Sequence, residues 1–316
     1  MRAALHDRYG PPEVLHVGEV ARPAPSSNDV LVRVHASSVT RSDCGLRNTE
    51  YFFSRAFTGL RRPKQPVSGM EFAGVVAETG SAVTRFAVGD EVFGIKAGAN
   101  AEYLCVKESG VVAHKPSRLT FEEAAVVADG GLSAFSMLPA LGPLEGRHVV
   151  VYGASGSIGT AAVQVAKHLG ARVTAVCDTR HVELVRSLGA DDVVDYLRED
   201  WTRRGTYDGV FDAVGKSSFR KARRALNPGA AYVSADLGFM WHGPVVILAT
   251  RWLGSRKAKL GIARYRQEDL LRLRELVEAD GYRPVIDRTY PLEEVVEAAR
   301  YVERGQKTGN VVLTLA

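Results

Sequence analysis

The chain has 316 residues, of which 46% are hydrophobic and 24% charged, and this balance is typical of a globular protein with about two domains. Its net charge of +5 is modest, so the basic stretches at 59–64 and 251–266 indicate a solvated surface or an anion-attracting pocket rather than a nucleic-acid-binding face. The longest apolar stretch, 238–254, is interrupted by proline and arginine and falls short of the roughly 20 residues that span a bilayer, so we expect no membrane contact.

Residues 1–115 are predicted to form short β-strands separated by turns. The N-terminal residues lack the apolar core of a signal peptide, so we expect a cytoplasmic location. Beyond them, apolar runs that alternate or are bounded by glycine predict strands at 30–39, 72–80, 89–95, 101–106 and 110–116. Strands at this spacing favour a compact, partly closed β-barrel.

From residue 119 onward the pattern changes to helices alternating with strands. Thr120 and Glu123 have the spacing of a capping box, in which each side chain satisfies a backbone N–H of the other residue. The alternating strands and helices are predicted at 148–152, 157–169, 172–177, 180–188, 207–215, 217–226 and 230–235. Such alternation implies a parallel sheet with helices on both faces. The tail is predicted to rejoin the first domain with elements at 267–280, 285–305 and 309–316.

A glycine-rich turn follows the strand predicted at 148–152. Within this turn, residues 153–159, Gly156 would let the backbone approach a pyrophosphate and Gly159 would let the helix pack against the sheet. The unpaired N–H groups and the positive dipole end of the helix favour phosphate there. Asp178 ends the next strand, where an acidic residue normally meets the adenosine ribose. We therefore predict a dinucleotide site that includes Ser155, Gly156, Ser157, Ile158, Gly159 and Asp178.

Segments spread along the whole chain share the motifs of one enzyme superfamily. They are RYGPPEVL (8–15), VLVRVHASSV (30–39), FAGVV (72–76), VGDEVFG (88–94), GASGSIGTAAVQVAK (153–167), VELVRSLGADDVVDY (182–196) and RPVIDRTYPLEE (283–294). With them the chain resembles the medium-chain dehydrogenase/reductase superfamily, and in particular its zinc-free quinone oxidoreductase branch. The resemblance implies an α/β fold with a GroES-like β-barrel substrate domain at 1–119 and 267–316. It also implies a Rossmann domain, a doubly wound parallel sheet, at 120–266, with the active site in the cleft.

The zinc-dependent relatives in this superfamily hold a catalytic ion with Cys, His and Cys. The matching positions in this chain are Thr40, Met70 and Gly130, which offer neither thiolate nor imidazole. The three cysteines of the chain are scattered singly and form no C-x-x-C pair, so the structural zinc lobe of those relatives is not expected either. We therefore predict that the protein has no metal site and does not depend on zinc.

This residue chemistry favours reduction over alcohol oxidation. Without a Lewis acid, nothing stabilises the alkoxide that develops when an unactivated alcohol is oxidised. Quinones and α,β-unsaturated aldehydes or ketones delocalise incoming charge themselves, so the protein has only to orient them and to supply hydrogen bonds and a proton. We therefore predict an enzyme that transfers hydride from NAD(P)H to a quinone, an enal or an enone.

Three residues are candidates for the catalytic pocket on the basis of the resemblance. Thr40 replaces an asparagine common in quinone reductases, and its hydroxyl would bind a carbonyl oxygen or the nicotinamide ribose. Asp43 would orient a proton relay, or it is a local cap residue. Tyr51 would donate a proton, or it is an ordinary core tyrosine. Asp129 stands where an apolar residue is expected, and the sequence assigns it no role.

The residues after the second Rossmann strand bear on the choice between NADP(H) and NAD(H). Relatives commonly read Cys-Ser-Thr-Arg-Asn there, whereas this chain reads Cys-Asp-Thr-Arg-His at 177–181. Arg180, together with Tyr196, which matches a ring beside the adenosine phosphate in relatives, favours NADP(H). Asp178 would repel a 2′-phosphate and favours NAD(H). We predict NADP(H) over NAD(H).

Two other functions stay open at this point. The basic and apolar stretch 238–266 would suit a zinc-free alcohol dehydrogenase or an enoyl reductase with a bulkier substrate, or the stretch is a loop at a dimer interface. A dinucleotide-binding protein without catalysis is the other alternative. We also expect a homodimer, because Rossmann domains pair through their edge strands.

Overall fold

The computed structural model describes residues 1–49, 55–236, 246–250 and 255–315, which divide between two compact units. The first unit consists of Met1–Asp129, Arg266–Glu278 and Pro284–Ala316, so it contains both ends of the chain. The second unit consists of Gly130–Tyr265 and Ala279–Arg283.

The secondary structure follows the chain in this order. The strands are β1 (Arg2–Leu5), β2 (His16–Glu19), β3 (Asp29–Ser38), β4 (Glu71–Thr79), β5 (Glu91–Ile95), β6 (Tyr103–Lys107), β7 (Val112–His114), β8 (His148–Tyr152), β9 (Arg172–Cys177), β10 (Asp192–Asp195), β11 (Tyr207–Asp212), β12 (Leu226–Ser234), β13 (Lys257–Leu260), β14 (Ile286–Pro291) and β15 (Asn310–Thr314). The helices are α1 (Arg41–Asn48), α2 (Arg55–Thr58), α3 (Phe121–Ala124), α4 (Ala128–Met137), α5 (Ser157–His168), α6 (Val182–Ser187), α7 (Phe219–Ala222), α8 (Gln267–Glu278) and α9 (Val295–Glu303).

The first unit is built on a seven-stranded sheet in the order β14-β15-β3-β4-β5-β7, with β6 also paired to β3. Strand β3 is the centre of this sheet, because it pairs with β4 along one edge and with β6 and then β15 along the other. Its residues are buried in succession at Val30–Val32 and at Ala36–Ser38, and they alternate with period two between these two runs. In the described part of the chain this sheet runs from β14 to β7 and does not close into a complete barrel. This agrees with the predicted partly closed barrel.

Helix α9 packs its apolar face against the strands of this first unit. Its buried residues recur at the spacing of one helical face and are Val295, Ala298, Ala299 and Val302. They join a core that includes Val32, Phe72 and Leu313. The C-terminal tail is therefore part of the core of the first unit.

The second unit is built on a six-stranded parallel sheet in the order β10-β9-β8-β11-β12-β13. The central strands β8, β9 and β11 are mostly apolar and buried, as expected of strands that are covered on both faces. Helix α5 buries Gly159, Ala161, Ala162, Val165 and Ala166, and these small and β-branched side chains let it lie close to the sheet. The prediction of a parallel sheet wrapped by helices is confirmed.

Two elements of the second unit differ from the prediction. The helix expected at 217–226 is limited to α7, because the chain enters β12 at Leu226. Strand β13 was expected only as part of a basic surface stretch, since two lysines alternate there with apolar residues.

One helical stretch, Phe121–Leu141, is long and apolar enough to cross a bilayer, but 83% of its most apolar window is buried in the protein, as in a core helix.

Candidate cofactor and active site

The second unit brings the predicted cofactor residues to one edge of its sheet. Its strands are parallel, so their carboxyl ends share this edge, and the chain order reverses between β8 and β11. Open α/β sheets bind ligands at such a switch point. The glycine turn follows β8, Asp178 follows β9 and Tyr196 follows β10.

The glycine turn depends on residues without side chains at two positions. Gly153 has φ of 77°, in the left-handed region, and its N–H and that of Ala154 each donate to Val176 O at 3.0 Å. A Cβ at residue 159 would lie 2.0 Å from Gly153 O. Only glycine at 159 therefore lets α5 begin this close to the end of β8.

The beginning of α5 fits the pyrophosphate of a dinucleotide. Gly156 is the N-cap residue and contributes no side-chain cap to the first-turn N–H groups. A Cβ at residue 156 would lie 3.7 Å from Gly153 O, its nearest neighbour among the described atoms, so the backbone here is open to close approach. Ser157 Oγ is buried and has no hydrogen-bond partner within the described residues. Ser155 and Ile158 are half-buried in the same turn.

Asp178 is paired with Arg180 and His181 from its own turn. Its Oδ2 accepts from Arg180 Nη2 at 2.8 Å, its Oδ1 accepts from the Arg180 N–H at 3.1 Å, and His181 Nδ1 lies 2.5 Å from Oδ1. Burial opposes ionisation, but the hydrogen bonds and charges of Arg180 and His181 outweigh it and lower the pKa of Asp178. The carboxylate is therefore ionised and partly compensated where the adenosine ribose is expected. Tyr196 is half-exposed beyond the adjacent β10.

In the first unit, Thr40 and Asp43 form a capping box at the start of α1. Thr40 Oγ1 donates to Asp43 Oδ2 at 2.7 Å and accepts from the Asp43 N–H at 3.0 Å, while the Thr40 N–H donates to Asp43 Oδ2 at 2.8 Å. Burial raises the pKa of Asp43 to about 6, although the hydrogen bonds from Thr40 act against this rise. The cap role considered for Asp43 is thus present in the fold.

A buried carboxylate that the sequence analysis missed lies in the same unit. Glu71, at the start of β4, is fully buried, and it accepts from Ser38 Oγ and from the Asp129 N–H, each at 2.6 Å. Burial raises the pKa of Glu71, and the charge of Asp129 raises it further. Burial lowers the pKa of Lys307 to about 8, although Asp129 and Glu71 oppose this. The one sequence signal was an acidic residue directly before the apolar run 72–77 of β4.

The positions that match the zinc ligands of relatives offer few donor atoms. Thr40 is buried, Met70 offers only a thioether, and Gly130 has no side chain. Within the described ranges, no group of three or more His, Cys, Asp or Glu side chains is arranged to hold a metal ion. These residues do not fit a catalytic zinc. Tyr51, the predicted proton donor, lies outside the described residues.

Comparison with known proteins gives two family matches. Residues 26–132 match the model described as an alcohol dehydrogenase GroES-like domain, and residues 188–313 match the model described as a zinc-binding dehydrogenase.

Curated relatives match over almost the whole chain. NAD(P)H oxidoreductase RTN4IP1 of Mus musculus is 33% identical, with 100% of this chain and 89% of the relative covered. The 2-methylene-furan-3-one reductase of Solanum lycopersicum is 30% identical, with 99% of this chain and 79% of the relative covered. The NADPH-dependent alkenal/one oxidoreductase of Arabidopsis thaliana is also 30% identical, with 99% and 79% covered.

The names of these relatives show that the predicted cytoplasmic location is wrong. RTN4IP1 is named as a mitochondrial protein in mouse, human and cattle, and the Arabidopsis oxidoreductase is named as chloroplastic. The lack of an apolar signal core bears only on secretion, because segments that target proteins to these organelles are amphipathic rather than apolar.

Solved structures of the same architecture complete the comparison. The quinone oxidoreductase from Coxiella burnetii has a TM-score of 0.88 and 29% identity, with 100% of this chain and 99% of that chain covered. A mycobacterial protein complexed with NADPH has a TM-score of 0.84 and 25% identity, with 100% of both chains covered. The glycine turn, the parallel sheet and the GroES-like unit occur together with these full-length matches. The chain therefore belongs to the medium-chain dehydrogenase/reductase superfamily of oxidoreductases, in its quinone oxidoreductase-like branch.

Proposed function

We propose that the protein is a zinc-independent reductase that transfers hydride from NAD(P)H, preferably NADPH, to quinones or α,β-unsaturated aldehydes and ketones. The observation that carries this proposal is the chemistry of Thr40, Met70 and Gly130, at the positions where zinc-dependent relatives have their ligands. None of the three supplies a donor suited to zinc, so the acceptor has to be electrophilic by itself. The alkenal and furanone reductases among the relatives act on substrates of this kind by name.

The chain's own groups account for binding of the cofactor. The first-turn N–H groups of α5 and the hydroxyl of Ser157 would hold the pyrophosphate, while Gly156 leaves room for it. When bound, a reduced nicotinamide supplies the hydride. Arg180 and His181 lie beside Asp178 after β9, where the adenosine ribose is expected, and they offset the repulsion between this carboxylate and a 2′-phosphate. This balance supports NADPH.

Reduction of an enone also requires a proton, and the Thr40–Asp43 pair is the proposed relay. A carboxyl whose pKa is raised to about 6 exchanges protons close to neutral pH. Its Oδ2 lies 2.7 Å from Thr40 Oγ1, so a proton can pass between the carboxyl and the hydroxyl. Tyr51, outside the described residues, stays a candidate for the final donor.

A homodimer is proposed as well. Strand β13 pairs with β12 on one side and ends the order of the described sheet on the other. An unpaired strand edge is suited to pairing with the same strand of a second copy.

The reductase proposal is tested by oxidation of NADPH in the presence of matched acceptors. We expect kcat/KM for a short enone and for a benzoquinone to exceed kcat/KM for the saturated ketone of equal length by about 100-fold or more, roughly 2.7 kcal/mol in barrier. Heat-denatured protein controls for direct reaction of the quinone with NADPH. Equal rates with the saturated ketone would contradict the proposal. NADPH binding without turnover of any acceptor would indicate a binding protein instead.

A further inference from the structure

The turn that follows α2 displays the most exposed large apolar side chain in the described part of the chain. Leu60 is 75% exposed, more than any other large hydrophobic residue there. It belongs to residues 58–64, the basic turn, which begins at the last residue of α2. A single exposed leucine is ordinary on a protein surface, so its meaning depends on its surroundings.

The backbone of the basic turn is held in place by several contacts. Tyr9 Oη donates to Gly59 O at 2.7 Å and lies 2.8 Å from Thr58 Oγ1. The Lys64 N–H donates to Thr58 O at 2.7 Å and closes the turn. Gly59 has φ of 122°, and a Cβ there would lie 2.1 Å from Arg62 O, so this position requires glycine. The turn is therefore a built feature of the surface.

Four cations without partners lie in or beside the basic turn. Arg61, Arg62 and Lys64 are exposed members of the turn, and Arg8 is exposed next to the tyrosine that holds it. None of these four side chains forms an ion pair or a hydrogen bond with the residues that the structure describes. Charges that the protein itself leaves unpaired are available to an external anion.

An open cavity joins Arg8 to the basic turn. Its volume is about 400 Å³. It is lined by Asp7, Arg8, Glu13, Val14, His16 and Arg62. Glu13 Oε1 accepts from Arg300 Nε at 2.8 Å, and Asp7 Oδ2 lies 3.6 Å from a ring nitrogen of the lining histidine. Because Glu13 is paired with Arg300, the two lining arginines face one remaining carboxylate, and the cavity keeps an excess of positive charge.

We propose that the basic turn docks on the surface of an anionic membrane, with Leu60 at the boundary between the headgroups and the acyl chains. An apolar side chain flanked by cations matches such a surface, because lipid phosphates attract the cations while the boundary layer accepts the leucine. A single-stranded nucleic acid would engage the cations but stacks on aromatic rings, so it gives an exposed leucine no role.

This inference does not depend on the proposed reductase activity. The sequence prediction of no membrane contact was based on the lack of a spanning segment, and a turn that lies on a bilayer needs none.

The experiment measures binding of the full chain to lipid vesicles by co-sedimentation. Vesicles with roughly 30% phosphatidylglycerol in phosphatidylcholine are compared with vesicles of phosphatidylcholine alone. We expect at least about tenfold tighter binding to the anionic vesicles at about 0.1 M salt, and loss of this binding at about 1 M salt, where the charges are screened.

The contribution of the leucine is tested by Leu60→Ser. This variant should bind the anionic vesicles about tenfold more weakly, because it loses one buried apolar side chain. Val88→Ser is the matched control, since Val88 is 65% exposed in the same unit but lies outside the basic turn, and its binding should be unchanged.

The contribution of the charges is tested by a combined variant of the basic turn, Arg61→Gln, Arg62→Gln and Lys64→Gln. It should bind the anionic vesicles about 100-fold more weakly, about fivefold for each cation. Its control removes the same charge from exposed positions in and after α7, by Arg220→Gln, Arg223→Gln and Arg224→Gln. This control should bind as the native protein does.

Tm should be unchanged in all four variants, because the replaced side chains are exposed. Equal binding to both kinds of vesicle, equal effects in a variant and its control, or no binding at all would overturn the inference. Binding of a single-stranded oligonucleotide without binding of vesicles would also overturn it and would indicate a nucleic-acid surface instead.

Discussion

In the proposed cofactor site, the charge of Asp178 bears on the choice between NADPH and NADH. Its carboxylate would repel a 2′-phosphate, but both of its oxygens are held by Arg180 and His181. The side chain of Arg180 is 68% exposed, so it is accessible to an anion from solvent. We therefore propose that opposing charges within a single turn set the preference between NADPH and NADH.

Replacing Asp178 by serine should strengthen the preference for NADPH. The substitution removes the repelling carboxylate and releases Arg180 and His181 from it, so the ratio of kcat/KM for NADPH to kcat/KM for NADH should rise about tenfold, ~1.4 kcal/mol. Steady-state kinetics at a saturating acceptor concentration measure this ratio. Glu183→Gln removes an equal charge from an exposed residue of α6 and should leave the ratio as it is. No change in Asp178→Ser would mean that this carboxylate has no part in the choice.

Glu71 makes stability depend on pH. Its pKa is raised in the folded chain above the ordinary value of 4.5, so the folded state retains a proton that the unfolded state releases. This contribution is fully present below about pH 4.5 and is lost as the pH rises through the raised pKa. Glu71→Gln keeps an acceptor for the Asp129 N–H and cannot ionise, so its Tm should fall less than that of the native protein between pH 5 and pH 9 (roughly the range set by such a shift).

Thermal unfolding followed by circular dichroism across this pH range provides the measurement. The exposed Glu183→Gln variant should show the same pH dependence as the native protein. Parallel curves for the native protein and Glu71→Gln would mean that Glu71 is ionised in the fold throughout.

Single residues were predictable from the sequence where their neighbours are close in the chain. The glycine turn and Asp178 lie at the ends of β8 and β9, where the local strand–turn–helix spacing predicted them. Glu71 was missed, since its partners Ser38 and Asp129 come from distant segments that only the fold brings together. The pairing of Asp178 with His181 could not be predicted from the sequence either, because it depends on the conformation of the 3₁₀ turn that follows β9.

At the scale of elements, two glycines at the junction of β8 and α5 are expected to have different roles, one in cofactor binding and the other in folding. Gly156→Ala places a methyl group where the chain leaves space, so Tm should be unchanged while Kd for NADPH rises at least about tenfold, since the methyl group takes the place of a phosphate oxygen. Gly159→Ala forces a Cβ against Gly153 O, so it should destabilise the protein by about 1–3 kcal/mol.

These two variants are compared by thermal unfolding and by titration with NADPH. Each is the control for the other, because the substitution is the same and the positions lie three residues apart. Loss of stability in Gly156→Ala, or normal stability in Gly159→Ala, would contradict the geometry of the turn.

Helices and strands were predicted correctly where the pattern of apolar residues and the residues that end an element indicated the same bounds. Strand β9 has the predicted bounds, since an apolar run is flanked by glycine and aspartate. Helix α7 was predicted too long. The helical spacing of apolar residues after Ser218 continues beyond Ala222, whereas the chain enters β12 at Leu226. Strand β13 was missed, since Lys257 and Lys259 suggested surface and only pairing with β12 makes the segment a strand.

At the scale of the whole molecule, we expect activity without a bound metal. The positions of Thr40, Met70 and Gly130 supply no zinc donors, so inductively coupled plasma mass spectrometry should find zinc far below one ion per chain. Prolonged treatment with a chelator should leave enone reduction unchanged. A zinc-dependent alcohol dehydrogenase treated in parallel should lose its activity. Stoichiometric zinc whose removal abolishes turnover would disprove this account.

The organisation of the whole molecule could be inferred only in outline. Local patterns indicated a β-rich beginning, an alternating middle and a tail that rejoins the first domain, but none of them predicts that β15 pairs with β3. Register between strands so far apart depends on the packing of the complete core, which includes Phe72 and Leu313.

The pairing of β15 with β3 has a consequence for how the chain is made. The six strands of the second unit have all been synthesised by Leu260, whereas the edge of β3 at Ala36–Ser38 has no β15 to pair with until Asn310–Thr314 has left the ribosome. The middle of the nascent chain is therefore able to fold before its beginning. Until β15 emerges, the early strands keep an open backbone edge and uncovered apolar side chains, and these are features that chaperones recognise and that favour aggregation.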